Sequence, residues 1–237
     1  MGWRSATARG GAVRTRTAAG LLALCAIVAG ARAPEPVVGA VSGTVRLLST
    51  SQRQPPMLSP YSRPRYRPPA RAEVPPGSPE TVVVYLRPSG PAPDGPRNPV
   101  RISQRNRTII PHVTVVQAGT RIDFPNDDDV FHNIFSLSGP KRFNLGRYPP
   151  GETRSELFER PGVVRLFCDI HSEMGGVIMV VDTPYFTQPD ATGRFSIPNV
   201  AEGEYMAVVW HEAAGSDSTR VVVTPGGDAR VDFALGG

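Results

Sequence analysis

The sequence predicts an all-β protein. Apolar residues come in short runs, either alternating with polar ones or continuous over five or six positions, and Gly, Pro, Asn and Asp separate the runs. No stretch carries a convincing amphipathic helical period. Length is the third observation. With an N-terminal export signal set aside, about 204 of the 237 residues remain, enough for one large or two small domains.

The export signal is read over residues 1–33. Arg4, Arg9, Arg14 and Arg16 form a basic start with no acidic residue, and residues 18–30 are an apolar run. Ala31-Arg32-Ala33 has the pattern of a cleavage site, with Ala29-Gly30-Ala31 as the alternative. The run is too short for a transmembrane helix, and no later run is long and apolar enough to span a bilayer. Lipid attachment through Cys25 is disfavoured by the bulky Leu24 before it. The mature protein is therefore expected to be periplasmic or secreted. The whole chain has 26 basic and 21 acidic residues; without the five Arg of the signal it has 21 of each. The positive charge belongs to the signal and does not argue for a nucleic-acid partner.

Residues 52–79 are crowded with Pro and Arg, as in Ser59-Pro60-Tyr61-Ser62-Arg63-Pro64-Arg65, and hold too few apolar residues for a core. They are expected as a long basic loop, a tolerated surface insertion more readily than a dock for an acidic partner. Residues 81–86 read as a buried strand, and the Pro/Gly-rich residues 88–98 as a domain junction. Arg121-Ile122-Asp123-Phe124 alternates. Over residues 163–168, Val164, Leu166 and Cys168 share one face, which turns the thiol inward with the core. Residues 177–181 are continuously apolar, as a strand buried on both sides would be. Val231, Phe233 and Leu235 alternate with Arg230 and Asp232.

Cys168-Asp169-Ile170-His171-Ser172-Glu173-Met174 places a thiol, an imidazole and a thioether within seven residues. A second His completes the His2Cys set with a weak axial Met that suits copper in an electron-transfer centre, and His132 in Phe131-His132-Asn133 is the candidate. Once the signal is gone Cys168 stands alone, so no intramolecular disulfide forms; an exported lone thiol is buried or holds a metal. A small buried core Cys is the plainer reading, and the His and Met beside it argue against that. His112 and His211 have no sulfur neighbour and are not expected to bind the metal. Asp127-Asp128-Asp129 lacks the spaced oxygens and closing Glu of a calcium loop and reads as a solvated turn. Asn106-Arg107-Thr108 reads as a chance glycosylation sequon.

Residues 100–182 resemble cupredoxins. The run from Val113 through Gly119 to Asn126-Asp127 is similar to the family's strand, glycine turn and strand leading to the upstream histidine. His132-Asn133 matches the ligand and the Asn that, in the family, braces the Cys loop. Leu166-Phe167-Cys168 and Met174-Gly175-Gly176 match the strands flanking a short, amicyanin-like ligand loop. Gln104-Arg105-Asn106-Arg107 and Val181-Asp182-Thr183-Pro184-Tyr185-Phe186 resemble a bacterial plastocyanin-like group whose members are often labelled methylamine utilization proteins. The flanks resemble another module. Asp190-Ala191-Thr192-Gly193-Arg194-Phe195 and Gly203-Glu204-Tyr205 look like a carboxypeptidase regulatory-like, transthyretin-like sandwich, and Ser42-Gly43-Thr44-Val45 supplies its expected first strand.

The resemblances imply a Greek-key cupredoxin β-sandwich over residues 98–184. It would be inserted in a second, Ig/transthyretin-like sandwich made of residues 38–92 and 185–237, with two sandwiches in series as the simpler alternative. They imply one type 1 copper, Cu(I)/Cu(II), on His132, Cys168, His171 and Met174. The expected function is one-electron transfer without enzymatic turnover, by a monomer whose redox partner docks near His171. Periplasmic copper binding or delivery is the alternative. A Cys168/His171 hydrolase is disfavoured, because the pair sits in a tight loop beside Met with no Gly-rich oxyanion turn. Zinc is a poor fit, because Met is a weak zinc ligand. Asp169, Ile170 and Glu173 depart from the family's small or polar loop residues. The carboxylates of Asp169 and Glu173 would favour Cu(II) unless solvated or paired.

Overall fold

Among the described residues every regular element apart from one short turn is a strand, which follows from the short apolar runs between Gly and Pro. The structure, a computed structural model, describes residues 38–48 and 79–236. The expected signal and the expected loop up to residue 78 lie outside the described residues. In chain order the strands are β1 (Val38–Leu47), β2 (Val83–Pro88), β3 (Val100–Arg101), β4 (Ser103–Arg105), β5 (Thr108–Ile110) and β6 (Val113–Gln117). They continue as β7 (Thr120–Pro125), β8 (Phe135–Leu137), β9 (Arg142–Asn144), β10 (Thr153–Phe158), β11 (Gly162–Phe167) and β12 (Gly175–Val181). The last six are β13 (Phe186–Thr187), β14 (Arg194–Ala201), β15 (Gly203–His211), β16 (Gly215–Val223), β17 (Asp228–Arg230) and β18 (Phe233–Leu235). A 3-10 turn, Pro79–Thr81, takes the start of the strand expected at residues 81–86, which begins at Val83.

The first core lies between two sheets drawn from both ends of the described chain. β1 pairs antiparallel with β14 and parallel with β17 and β18. The facing sheet runs β13-β2-β15-β16. Val41, Val84, Leu86, Ile197, Ala207 and Val209 are among the side chains they bury together. Gly43 is needed on β1: a Cβ there would fall 1.6 Å from the Val231 carbonyl oxygen. The alternation expected over residues 230–235 is present but divided between two strands. Asp232 turns away to accept from the Thr44 amide (2.9 Å) and hydroxyl (2.7 Å), which interrupts the ladder.

The second core comes from residues 100–181. A five-stranded sheet, β6-β12-β11-β8-β9, packs on β10-β7-β3 through Ile122, Phe124, Phe158, Val164, Leu166 and Ile178. Gly95, in the stretch leading in, lies against Pro184, just after β12; a Cβ on it would come 2.3 Å from the proline Cβ. The chain thus enters and leaves this core at one place.

The two continuous apolar runs bury both of their faces, and they cover each other. Val84 and Leu86 of β2 enter the first core, while Val83 and Tyr85 on its other face meet Val113, Val177, Met179 and Val181 of β6 and β12. Beside this apolar layer sits one carboxylate. Glu212, in the turn after β15, accepts from His112 Nε2 at 3.0 Å and pairs with the Arg165 guanidinium of β11. The hydrogen bond from His112 and the pairing with Arg165 hold its carboxyl down at about 2, against the opposing effect of burial.

Candidate metal centre

β11 alternates as expected, with Val164 and Leu166 inward and Arg165 and Phe167 outward, and so delivers Cys168 to the core end of the strand. Cys168 is buried and free. The loop that follows closes on itself: the Met174 amide donates to the His171 carbonyl (3.1 Å), and the Cys168 amide to the Met174 carbonyl (3.3 Å). Met174 is buried in the second core beside Cys168. His171 is half-buried, with exposed Asp169, Ile170, Ser172 and Glu173 around it in sequence.

His132 is fully buried and arrives from the other side. Its backbone forms a two-way bridge with Tyr148, at 3.2 and 2.9 Å. The structure brings His132, Cys168 and His171 together, with one ligand atom of each within 4.8 Å of the others. The two Nδ1 atoms are 3.2 Å apart, and His171 Nδ1 is 3.9 Å from the Cys168 sulfur.

Asp128 decides which nitrogen of His132 faces the site. Its Oδ2 lies 3.0 Å from Nε2, and the carboxylate can only accept, so the proton belongs on Nε2 and the Nδ1 lone pair points at Cys168 and His171. The expectation of a solvated turn at residues 127–129 is therefore corrected at Asp128. Its side chain is 11% exposed, and hydrogen bonds from the Arg107 amide and His132 hold its carboxyl below the usual range. Asp127 is also engaged, with Arg101 and Ser103. Burial, then the neighbouring His132 and Arg107, hold the His171 imidazole below its ordinary pKa, which keeps it a neutral donor.

Below His132 lies a buried polar layer. Tyr148 donates to the Phe124 carbonyl (3.1 Å) and receives Gln104, which also reaches the Pro125 carbonyl at 3.2 Å. Burial pushes the Tyr148 hydroxyl up to about 12, so it stays a neutral donor. The brace implied for Asn133 is not formed through its carbonyl: Oδ1 is buried without a hydrogen-bond partner.

The other two histidines are occupied elsewhere. His211 Nδ1 accepts from the Ala213 and Ala214 amides (3.3 and 3.1 Å), and its Nε2 meets Thr81. His112 is bound to Glu212. On the loop, Asp169 is 3.3 Å from Arg147, so its charge is paired, and Glu173 receives the Ser172 hydroxyl.

Residues 180–231 match the family model described as Polysaccharide lyase family 4, domain II. No curated protein matches the chain. Several solved structures are similar to part of it. A purple cupredoxin from Nitrosopumilus maritimus is 26% identical over 35% of this chain and 99% of its own, with a TM-score of 0.32. Amicyanin from Paracoccus versutus is 18% identical over 41% of this chain and 97% of its own, with a TM-score of 0.33. A Cu-containing nitrite reductase from Thermus scotoductus is 26% identical over 35% of this chain, with a TM-score of 0.34; only 22% of that enzyme is covered.

Proposed function

We propose that this is an exported mononuclear copper protein that carries single electrons to and from a partner protein and turns over no substrate. The observation that carries the reading is the meeting of two ring nitrogens and a thiol, with His132 and Cys168 buried, His171 half-buried and His132 already fixed by Asp128. Two imidazole nitrogens 3.2 Å apart are within reach of one ion, and the thiol selects a soft metal. Met174, buried beside Cys168, is the axial donor in this reading. Bound copper would supply the Cu(I)/Cu(II) couple. The chain's own residues do the rest: Asp128 and Tyr148 hold His132, the two-sided core holds β12, and half-buried His171 offers the edge over which a partner docks. Residues 98–184 form the copper domain, inserted in a sandwich of residues 38–92 and 185–237. The strand pairings of β1 and β2 support this arrangement.

The test is to load the purified protein with Cu(II) and record its visible and electron paramagnetic resonance spectra. An intense thiolate-to-copper band with a narrow hyperfine splitting is expected. A pale protein that binds Cu(I) tightly would instead be a copper-delivery protein.

Two variants probe the tuning of the site. Met174→Leu should keep the colour and raise the reduction potential, because it removes a donor that favours Cu(II). An unchanged potential would mean that Met174 is no ligand. Arg147→Gln leaves Asp169 unpaired near the site and should lower the potential by on the order of tens of millivolts at low salt, and by less at high salt. Electrochemistry at two ionic strengths measures this, and a shift of opposite sign would contradict it.

A further inference from the structure

Asn106 and Arg107 are adjacent, neither is Gly, and both have φ in the left-handed region, at 53° and 55°. They form the two-residue turn of the β4–β5 hairpin, where Gly is favoured at the second position. Arg is uncommon in this conformation, so what the turn provides there matters. It points the Arg107 amide at Asp128 Oδ2, 2.7 Å away, the same oxygen that meets His132 Nε2.

The hairpin grips the stretch before His132 at further points. The Gln104 carbonyl accepts from the Asp127 amide (2.9 Å), and the Ser103 hydroxyl donates to the Asp127 carboxylate (2.5 Å). The Gln104 side chain, fully buried, bonds Tyr148, which bridges the His132 backbone. One hairpin therefore reaches His132 by two routes, to its ring through Asp128 and to its backbone through Tyr148.

We propose that the β4–β5 hairpin is a clamp that fixes the His132 ring in one orientation and one tautomer before metal arrives, with Arg107, Gln104 and Asp128 as positioning residues. The relevance to copper rests on His132 being a ligand, but the clamp is tested without metal. Nitrogen-15 NMR of the metal-free full chain should find His132 with its proton on Nε2, in slow exchange with solvent. Arg107→Gly keeps the amide and suits the turn, so it should leave that exchange unchanged. Arg107→Pro removes the amide and cannot adopt the turn; it should speed exchange about tenfold or more. In copper titrations, Asp128→Ala should weaken binding about 10–100-fold.

His132 carrying its proton on Nδ1 in the unaltered protein would overturn the clamp, whether or not Arg107→Pro folds. So would exchange in folded Arg107→Pro as slow as in the parent. Failure of the unaltered protein to bind copper would instead sink the copper reading and leave the tautomer result standing.

Discussion

Cys168→Ser is expected to yield a folded protein without the intense colour of the copper-loaded parent. The strong visible band requires electron density moving from thiolate sulfur to Cu(II), and a hydroxyl cannot supply it. The side chain is buried, so the replacement must fit. Ser is close to Cys in size, and its hydroxyl sits near His171, which can take a hydrogen bond in place of the 3.9 Å sulfur contact. Circular dichroism should therefore report an unchanged β signal while the visible band disappears. A variant that keeps full colour would end the copper assignment. One that loses colour because it unfolds would be recognised by its lost β signal.

Glu212→Gln should cost on the order of 2 kcal/mol of stability near neutral pH, the shift of its carboxyl discounted for solvent screening of the half-exposed Arg165. The carboxyl is held at about 2 in the folded protein against an ordinary value of 4.5. A depressed folded value contributes stability above the unfolded one, so the contribution is complete above about pH 4.5. It fades as the pH falls toward 2, where the folded protein too becomes protonated. The Glu212 side chain is 20% exposed and that of Arg165 46%, so water screens the pair in part, and Gln leaves the Arg165 guanidinium without its counter-charge. Urea melts of both proteins at pH 7 and at pH 3 check this. The gap between them should be wide at pH 7 and narrower at pH 3. An equal gap at both would show that charge is not the cause.

What the sequence could tell depended on how far apart the interacting residues lie along it. Cys168, His171 and Met174 were readable because one short loop carries them. His132, 36 positions earlier, needed the Phe-His-Asn setting to be noticed. Asp128 escaped because a run of three Asp looks like a solvated turn. Its role depends on an amide 21 residues upstream, in a hairpin whose conformation no apolar period announces. Glu212 escaped for the same reason, with partners 100 and 47 residues away. The continuous apolar runs told that β2 is buried and that β12 buries two faces, since alternation is absent in both. That each supplies the other's cover could not be read from either run alone. In the same way, the Asp232 interruption near the C-terminus is set by Thr44, and the local alternation continues straight through it.

The pairing of β1 with β14, β17 and β18 makes the order of synthesis differ from the order of assembly. Val38 meets Ala201, and Val45 meets Phe233, so β1 waits for strands near the other end of the described chain. Contacts of such long sequence separation slow folding, because chain entropy is lost before they form. Residues 100–181 hold all the strands of their own core and can close while the rest is still being made. Once closed, that core no longer counts as slack. Its two ends meet where Gly95 touches Pro184, so a gap of some ninety residues shrinks to a few ångströms for the strands on either side. The fold of the segment that carries His132, Cys168 and His171 thus acts as a splint that brings β2 within reach of β13 and β15.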